Sequence, residues 1–365
     1  MAPNPHSTHH RGVLEEIARL LGLRQAFTLC VVVHTSGSSY RKAGALAVVD
    51  AHGDRRGVIS GGCLESDLES AAVSVLQANV PRLIVFDTDN DDDVVFGSGS
   101  GCRGRMQVLL LPIAADRAPP HPLCAALLAA DRAHQVLKVA LITRGPSIGA
   151  DLLWWGENER ETQPGQIDLS DLKYLGSGQY WLSVQASCAV LSFQPSPHIV
   201  LVGAGPEAPA LIRIATEMGW RVTLCDHREA RLRQHGAGAE RTICARPAAA
   251  LAAVDQTAVD ACLVMTHSAQ NDREALAALA GWRTSFIGLL GPTDRRDSLL
   301  ADLQPSARAS LQDRLQGPVG IKLGGHGPEI LALSICAQLQ KHLAREDAVR
   351  LPDNSNNLVV VASTG

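Results

Sequence analysis

Two cysteines lie in glycine-rich turns, and each has a setting that activates a thiol. Cys63 stands in "VISGGCLESDL" (Val58 to Leu68), directly after Gly61 and Gly62, where a strand-like run passes into a helix. Cys102 stands in "GSGSGCRGR" (Gly97 to Arg105), with Arg103 and Arg105 behind it. A helix N-terminus and neighbouring arginines both lower a thiol's pKa and make it more nucleophilic and more metal-avid. Each Gly-Cys step also has a plain structural reading, a tight turn holding a small buried residue. The pair within one region gives the reactive reading its weight. "HTSGSSYRKAG" adds Tyr40, Arg41 and Lys42 nearby in sequence.

A second constellation lies in the later half. "IVLVGAGPEAPAL" has Gly203-x-Gly205-x-x-Ala208 after a strand and opening a helix. There Gly203 allows the tight turn, Gly205 lets backbone approach a phosphate, and Ala208 lets helix and strand pack closely. The helix dipole favours an anion at that end. Pro206 removes one donor, and Pro209 fits only the first helical turn. The next strand ends in Asp226, where an acid takes ribose hydroxyls, with Arg228 two places on as a phosphate partner. Three more segments fall at predicted strand ends: His267 with Asn271 and Asp272, then Gly291 with Arg295 and Arg296, then Gly324, Gly325, His326 and Gly327. In an open α/β sheet these loops share one rim. Asp272 is expected to cap its helix. An NAD(P)-dependent oxidoreductase with His267 as acid/base group is one reading; a Rossmann-type scaffold that keeps its glycines for packing is the other.

These residues need elements to position them. "VLEEIARLLGL" has helical spacing, "FTLCVVVHT" reads as a buried strand, and "ALAVVDAHGDRRGVIS" reads as a hairpin turning near Gly53. A helix runs from Leu64, then "RLIVFD" and "GRMQVLLLP" are strands. Between 113 and 195 one helix and several strands are expected to extend the first sheet. From "HIVLVGAG" onward, strands alternate with helices, the pattern of a parallel sheet with crossovers. The expected organisation is an α/β N-terminal domain over 13–195 (core 13–112, extension 113–195), a Rossmann-like parallel-sheet C-terminal domain over 196–345, and a tail over 346–365. The first twelve residues are expected to be disordered, and "NLVVVAS" in the tail is a possible edge strand.

Composition narrows the function classes. The 365 residues are 46% hydrophobic and 4% aromatic, so the cores must be aliphatic. A net charge of −4 gives no basic footprint for nucleic acid. No apolar run reaches the ~18 residues of a membrane span, and no signal peptide heads the chain, so a cytoplasmic protein is expected. Nine cysteines without a CxxC pair are neither a disulfide framework nor a zinc knuckle. Cys30, Cys188, Cys225, Cys262 and Cys336 lie in apolar runs and read as buried. The acidic run Asp87 to Asp93 lacks the glycine and distal glutamate of a calcium loop and reads as solvated.

Seven motifs in order carry a resemblance to a known family: "VVVHTSGSSYRKAGALAVV", "VISGGCLESDL", "GSGSGCRGRMQVLLLP", "IVLVGAGPEAPALIRIATEMGWRVTLCDHR", "VMTHSAQNDREAL", "FIGLLGPTDRRDSLL" and "GPVGIKLGGHGPEILALSI". Together, from Cys30 to Leu343, the chain resembles the XdhC/CoxI family of accessory proteins to xanthine dehydrogenase and related molybdenum hydroxylases. The resemblance implies a maturation chaperone rather than a turnover enzyme. Such a protein binds the molybdenum cofactor (molybdopterin), supports its sulfuration and inserts it into the hydroxylase. The implied partners are that hydroxylase, a cysteine desulfurase and a second copy of the chain. The candidate cofactor-binding residues, those read above taken together with the resemblance, are Cys63, Cys102, Gly61, Gly62, Arg41, Arg103, Gly203, Gly205, Asp226, His267, Arg295 and Gly325, with molybdenum at Cys63 and Cys102. The chain departs from the family's pattern at Arg103, where glycine is usual, at Lys322, where aspartate is usual, and at Gln338, where an acid is usual.

Overall fold

Alternation along the first strand decides the architecture of the N-terminal half. Leu29, Val31 and Val33 enter one apolar cluster, while Cys30 and Val32 enter another. A strand buried on both faces must be central. In the computed structural model, the described residues are 10–37, 39–62, 64–87, 104–115, 120–145, 148–149, 151–155, 173–176, 179–183 and 186–346. The expectations for the first nine residues, for most of the acidic run and for the tail beyond 346 lie outside them, whereas His10, Arg11 and Gly12, expected to be disordered, begin the first helix instead. The chain divides into two units between Pro195 and Ser196.

The first unit runs α1 (His10–Gly22), β1 (Phe27–Gly37), β2 (Leu46–Asp50), β3 (Arg55–Arg56), α2 (Glu65–Ala78), β4 (Arg82–Asp87), β5 (Gly104–Ile113), α3 (Pro122–Ala133), β6 (Leu137–Arg144), β7 (Asp151–Trp155), β8 (Lys173–Gly176), β9 (Gln179–Ser183) and β10 (Ala186–Phe193). Its first sheet has the order β3-β2-β1-β5-β4 and is antiparallel. Helix α2 covers one face through Leu68, Ala72 and Val75. The 113–195 segment does not extend that sheet. It forms a separate antiparallel sheet, β7-β6-β10-β9-β8. Leu137, Val139, Leu191 and Phe193 of this second sheet share one core with Phe27, Leu29, Leu109 and Leu111 of the first. Helices α1 and α3 close that core with Ile17, Leu20, Leu123 and Leu127. The alternation of β1 and β5 already requires a second apolar layer, and a sheet stacked face to face supplies it.

The second unit runs β11 (His198–Val202), α4 (Ala208–Glu217), β12 (Arg221–Asp226), α5 (Glu229–His235), β13 (Arg241–Cys244), α6 (Pro247–Ala252), β14 (Ala261–Val264), α7 (Ala269–Leu279), β15 (Phe286–Leu289), α8 (Thr293–Ala301), α9 (Pro305–Leu311), β16 (Leu315–Gln316) and α10 (Pro328–Glu346). Its sheet, β13-β12-β11-β14-β15-β16, is wholly parallel, so its fold is Rossmann-like. The order steps outward from β11 in both directions, which makes a switch point at the C-terminal ends of β11 and β14. Apolar layers line both faces of the sheet, one with α4 and α10 and the other with α6 and α7. The edge strands β13 and β16 and the short helices α5, α6 and α9 were not expected from periodicity. Each has seven residues or fewer, and α5 buries only Leu232. Too few positions exist there for a repeat to show.

Candidate functional site

In the first unit, β1 and β5 bring two of the motifs to one end of the sheet. Gly104 at the start of β5 pairs with Gly37 at the end of β1, and Arg105 pairs with Ser36. The chain that enters β5 therefore arrives beside the loop that carries Tyr40 and Arg41. The third motif reaches the same loop, because a Cβ on Gly61 would lie 3.9 Å from the Tyr40 ring. Cys63, Cys102 and Arg103 themselves lie outside the described residues.

The turn before α2 is organised by two side chains that sequence reasoning passed over. The Ser60 hydroxyl donates to Glu65 Oε2 at 2.5 Å, and the Ser60 and Leu64 N–H groups donate to the same carboxylate at 3.2 Å. Ser60 Oγ also accepts from the Gly62 N–H at 3.3 Å. Glu65 is buried at the first turn of α2, where the helix dipole favours an acid. The glycines between them stay open: Gly62 has φ +113°, and a Cβ there would meet nothing within 4 Å. The signal was the S-x-x-x-x-E spacing, which fits no standard capping box. Arg41 is half-buried, and burial lowers its pKa, with Tyr40 opposing. No carboxylate among the described residues lies within salt-bridge distance of Arg41.

The second unit gathers Gly203, Gly205, Asp226 and His267 at the C-terminal rim of the parallel sheet. Gly203 has φ +118°, and a Cβ there would sit 2.4 Å from the Met265 carbonyl oxygen, so this glycine is required by close packing. Asp226 is buried, and its carboxylate is engaged within the chain. It accepts from the Ala204 N–H at 2.8 Å, the Arg228 N–H at 2.9 Å, Arg228 Nε at 2.9 Å and Arg228 Nη2 at 2.8 Å. Burial works to raise its pKa. The Arg228 guanidinium and the two backbone donors overcome this and hold it at about 2.

His267 sits in the left-handed region at φ +57°. Its Nε2 lies 3.1 Å from Glu207 Oε1, and Glu207 is buried at the entry to α4. The loop under His267 is tied down by Asp272, which accepts from the Thr266 hydroxyl at 2.5 Å and from Arg295 Nη2 at 2.7 Å. Arg295 is therefore engaged with Asp272. Asp272 does not cap α7 as expected; Ser268 does, accepting from the Asn271 N–H at 3.4 Å. The last glycine loop borders an open groove of about 580 Å³, lined by Glu207, Lys322, Gly325, His326, Ile330 and Leu331 among others. Gly325 has φ +77°, beside Ile330. Of these residues, Glu207 was missed because the glycine fingerprint leaves its position unspecified. Among the described residues, no group of three or more His, Cys, Asp or Glu is placed to hold a metal ion.

Two family models match the chain: the XdhC and CoxI family over residues 20–87, and the XdhC Rossmann domain over residues 199–339. They fall on the two units that carry the two constellations. The chain belongs to the XdhC/CoxI family. Within it, the chain is 28% identical over 324 residues to a Bacillus subtilis (strain 168) protein named as a probable subunit of xanthine dehydrogenase, a match covering 88% of this chain and 94% of that one. It also matches a crystal structure described as a xanthine dehydrogenase from Bacillus halodurans, with 27% identity and a TM-score of 0.76, covering 93% of this chain and 98% of that one. This XdhC/CoxI protein is thus similar to both relatives through its middle segment as well as its motifs. Among its described residues, no helix is long and apolar enough to cross a membrane.

Proposed function

We propose that this protein is an accessory factor to a xanthine dehydrogenase-type molybdenum hydroxylase, and that its cargo is the molybdenum cofactor. The accessory role is supported by the family and by the two relatives whose names refer to xanthine dehydrogenase, each matched over nearly its whole length. In this reading the protein binds the cofactor, supports its sulfuration with a cysteine desulfurase and inserts it into the hydroxylase. It works in the cytoplasm as a homodimer.

The observation that carries cargo binding is the Arg41 corner of the first unit. A half-buried guanidinium with no carboxylate beside it among the described residues favours an anion from outside. The cofactor's phosphate and oxo groups are such anions. The open Gly61–Gly62 turn, shaped by Ser60 and Glu65, leaves room for a bulky group to approach backbone. Cys63 follows that turn, and Cys102 precedes the β5 residue paired with Gly37. Their thiols supply the soft donors that molybdenum or a sulfur relay requires.

The test is anaerobic purification of the protein co-expressed with its hydroxylase, followed by quantification of bound molybdenum and pterin. The native chain is expected to retain both. Cys63→Ala and Cys102→Ala are expected to lose retention with the fold intact. Arg41→Ala removes a charge-assisted contact of roughly 1.5–3 kcal/mol, a loss of about tenfold or more in affinity. Native protein that holds no pterin under these conditions would sink the proposal.

A further inference from the structure

The Rossmann fingerprint of the second unit raises a question the accessory role leaves open, namely what the glycine loop accepts. In a dinucleotide-binding loop the second glycine is bare so that a pyrophosphate can lie over it, at the positive end of the following helix. Here the space over Gly205 is occupied by the chain's own side chains. A Cβ on Gly205 would come 2.4 Å from Glu207 Oε2 and 3.0 Å from His267 Nε2. The anion at the entry to α4 is the Glu207 carboxylate, 6% exposed as a residue. A phosphate placed there would meet a like charge across a short distance.

Two independent features agree. The acidic residue that would receive a ribose is Asp226, and its oxygens already accept four hydrogen bonds from Ala204 and Arg228. Arg228, the residue placed to take a ribose phosphate, is bound to that same carboxylate. His267 is held over the loop by a network on the other side, from Thr266 through Asp272 to Arg295. Displacing Glu207 toward the groove would leave His267 without its carboxylate. Displacing His267 would strain the Thr266–Asp272 tie.

We infer that Glu207 is a specificity-determining residue that closes the glycine loop to dinucleotide phosphates, so that this Rossmann unit does not take NAD(P). The loop's glycines then serve packing, as the contact between Gly203 and the Met265 carbonyl requires. The inference goes beyond the accessory role and stands or falls without it. The cargo test concerns the first unit, whereas this one reads nucleotide binding to the second.

The experiment is titration calorimetry of the full chain with NAD+ and with NADP+, for native protein and for Glu207→Ala. Native protein is expected to give no saturable binding up to about 1 mM of either nucleotide. The alanine variant, with an unchanged circular dichroism spectrum, is expected to gain at least about tenfold in affinity for one of them. Should alanine disturb the fold, Glu207→Gln removes the charge at constant volume, and the same direction of change is expected. Micromolar binding by native protein overturns the inference. So does a folded Glu207 variant that stays as inert as the native chain, since the carboxylate would then not be what closes the loop.

Discussion

Replacing Asp226 by Asn should make the second unit measurably weaker at neutral pH and leave it unchanged in strong acid. The Asp226 carboxylate is 2% exposed and is held at about 2, against an ordinary value of 3.8. One pKa unit corresponds to about 1.4 kcal/mol, so the depressed pKa represents about 2 kcal/mol of folding stability. The sign follows from linkage. A carboxylate whose folded pKa lies below its unfolded value stabilises above the unfolded pKa and loses that contribution as pH falls through the folded one. The contribution is therefore full at pH 7, begins to fall near pH 4 and is mostly gone at pH 2. An asparagine cannot carry the charge, and its amide N–H groups oppose the Arg228 donors. Urea unfolding followed by tryptophan emission, to which buried Trp220 contributes, should show a midpoint lower by about 1 M for the variant at pH 6. The two curves should converge as pH drops from about 4 toward 2. A difference that stays constant across that range would refute the reasoning, because it would show that packing around residue 226, and not its charge, sets the stability.

Other outcomes follow from the same geometry. Gly203→Ala combines a left-handed backbone with a Cβ pressed on the Met265 carbonyl, and should cost about 3 kcal/mol or prevent folding of the unit, read by thermal unfolding. Glu65→Ala leaves the Ser60 hydroxyl and two N–H groups without their acceptor, and should cost about 1–3 kcal/mol in the same measurement. Burial raises the thiol pKa of Cys30 and Cys262, and pushes Cys188, Cys225 and Cys336 up to about 12. Under native conditions at pH 8 these five should therefore resist alkylation, while exposed Cys244 reacts, as peptide mass spectrometry would show.

Long, strongly patterned elements are legible in the sequence. The strand at Phe27, the hairpin about Gly53, the helix after Leu64 and the strand–helix alternation from His198 all follow from apolar spacing that only one kind of element satisfies. Asp226 was legible as a strand-end acid. That Arg228 would fold back onto it was not, because a salt bridge two residues apart depends on the loop's exact path. Glu207, and the tie that Asp272 makes to Thr266 and Arg295, escaped for a related reason. A motif specifies the residues a ligand needs, and it is silent on charges that the chain places against itself. The stacking of the second sheet was hidden because an apolar face read from sequence does not say which element will cover it.

The shared core of the first unit bears on how the protein tolerates cutting. The segment after Pro112 contributes no motif, yet Leu137, Val139, Leu191 and Phe193 seal the face on which Leu29, Leu109 and Leu111 lie. A chain ended at Pro112 would keep every glycine turn and cysteine of the first constellation while opening a whole aliphatic layer to water. The least informative stretch of the sequence is thus the wall that keeps the informative part from aggregating. Its core-facing residues can vary among apolar side chains so long as their volume is preserved.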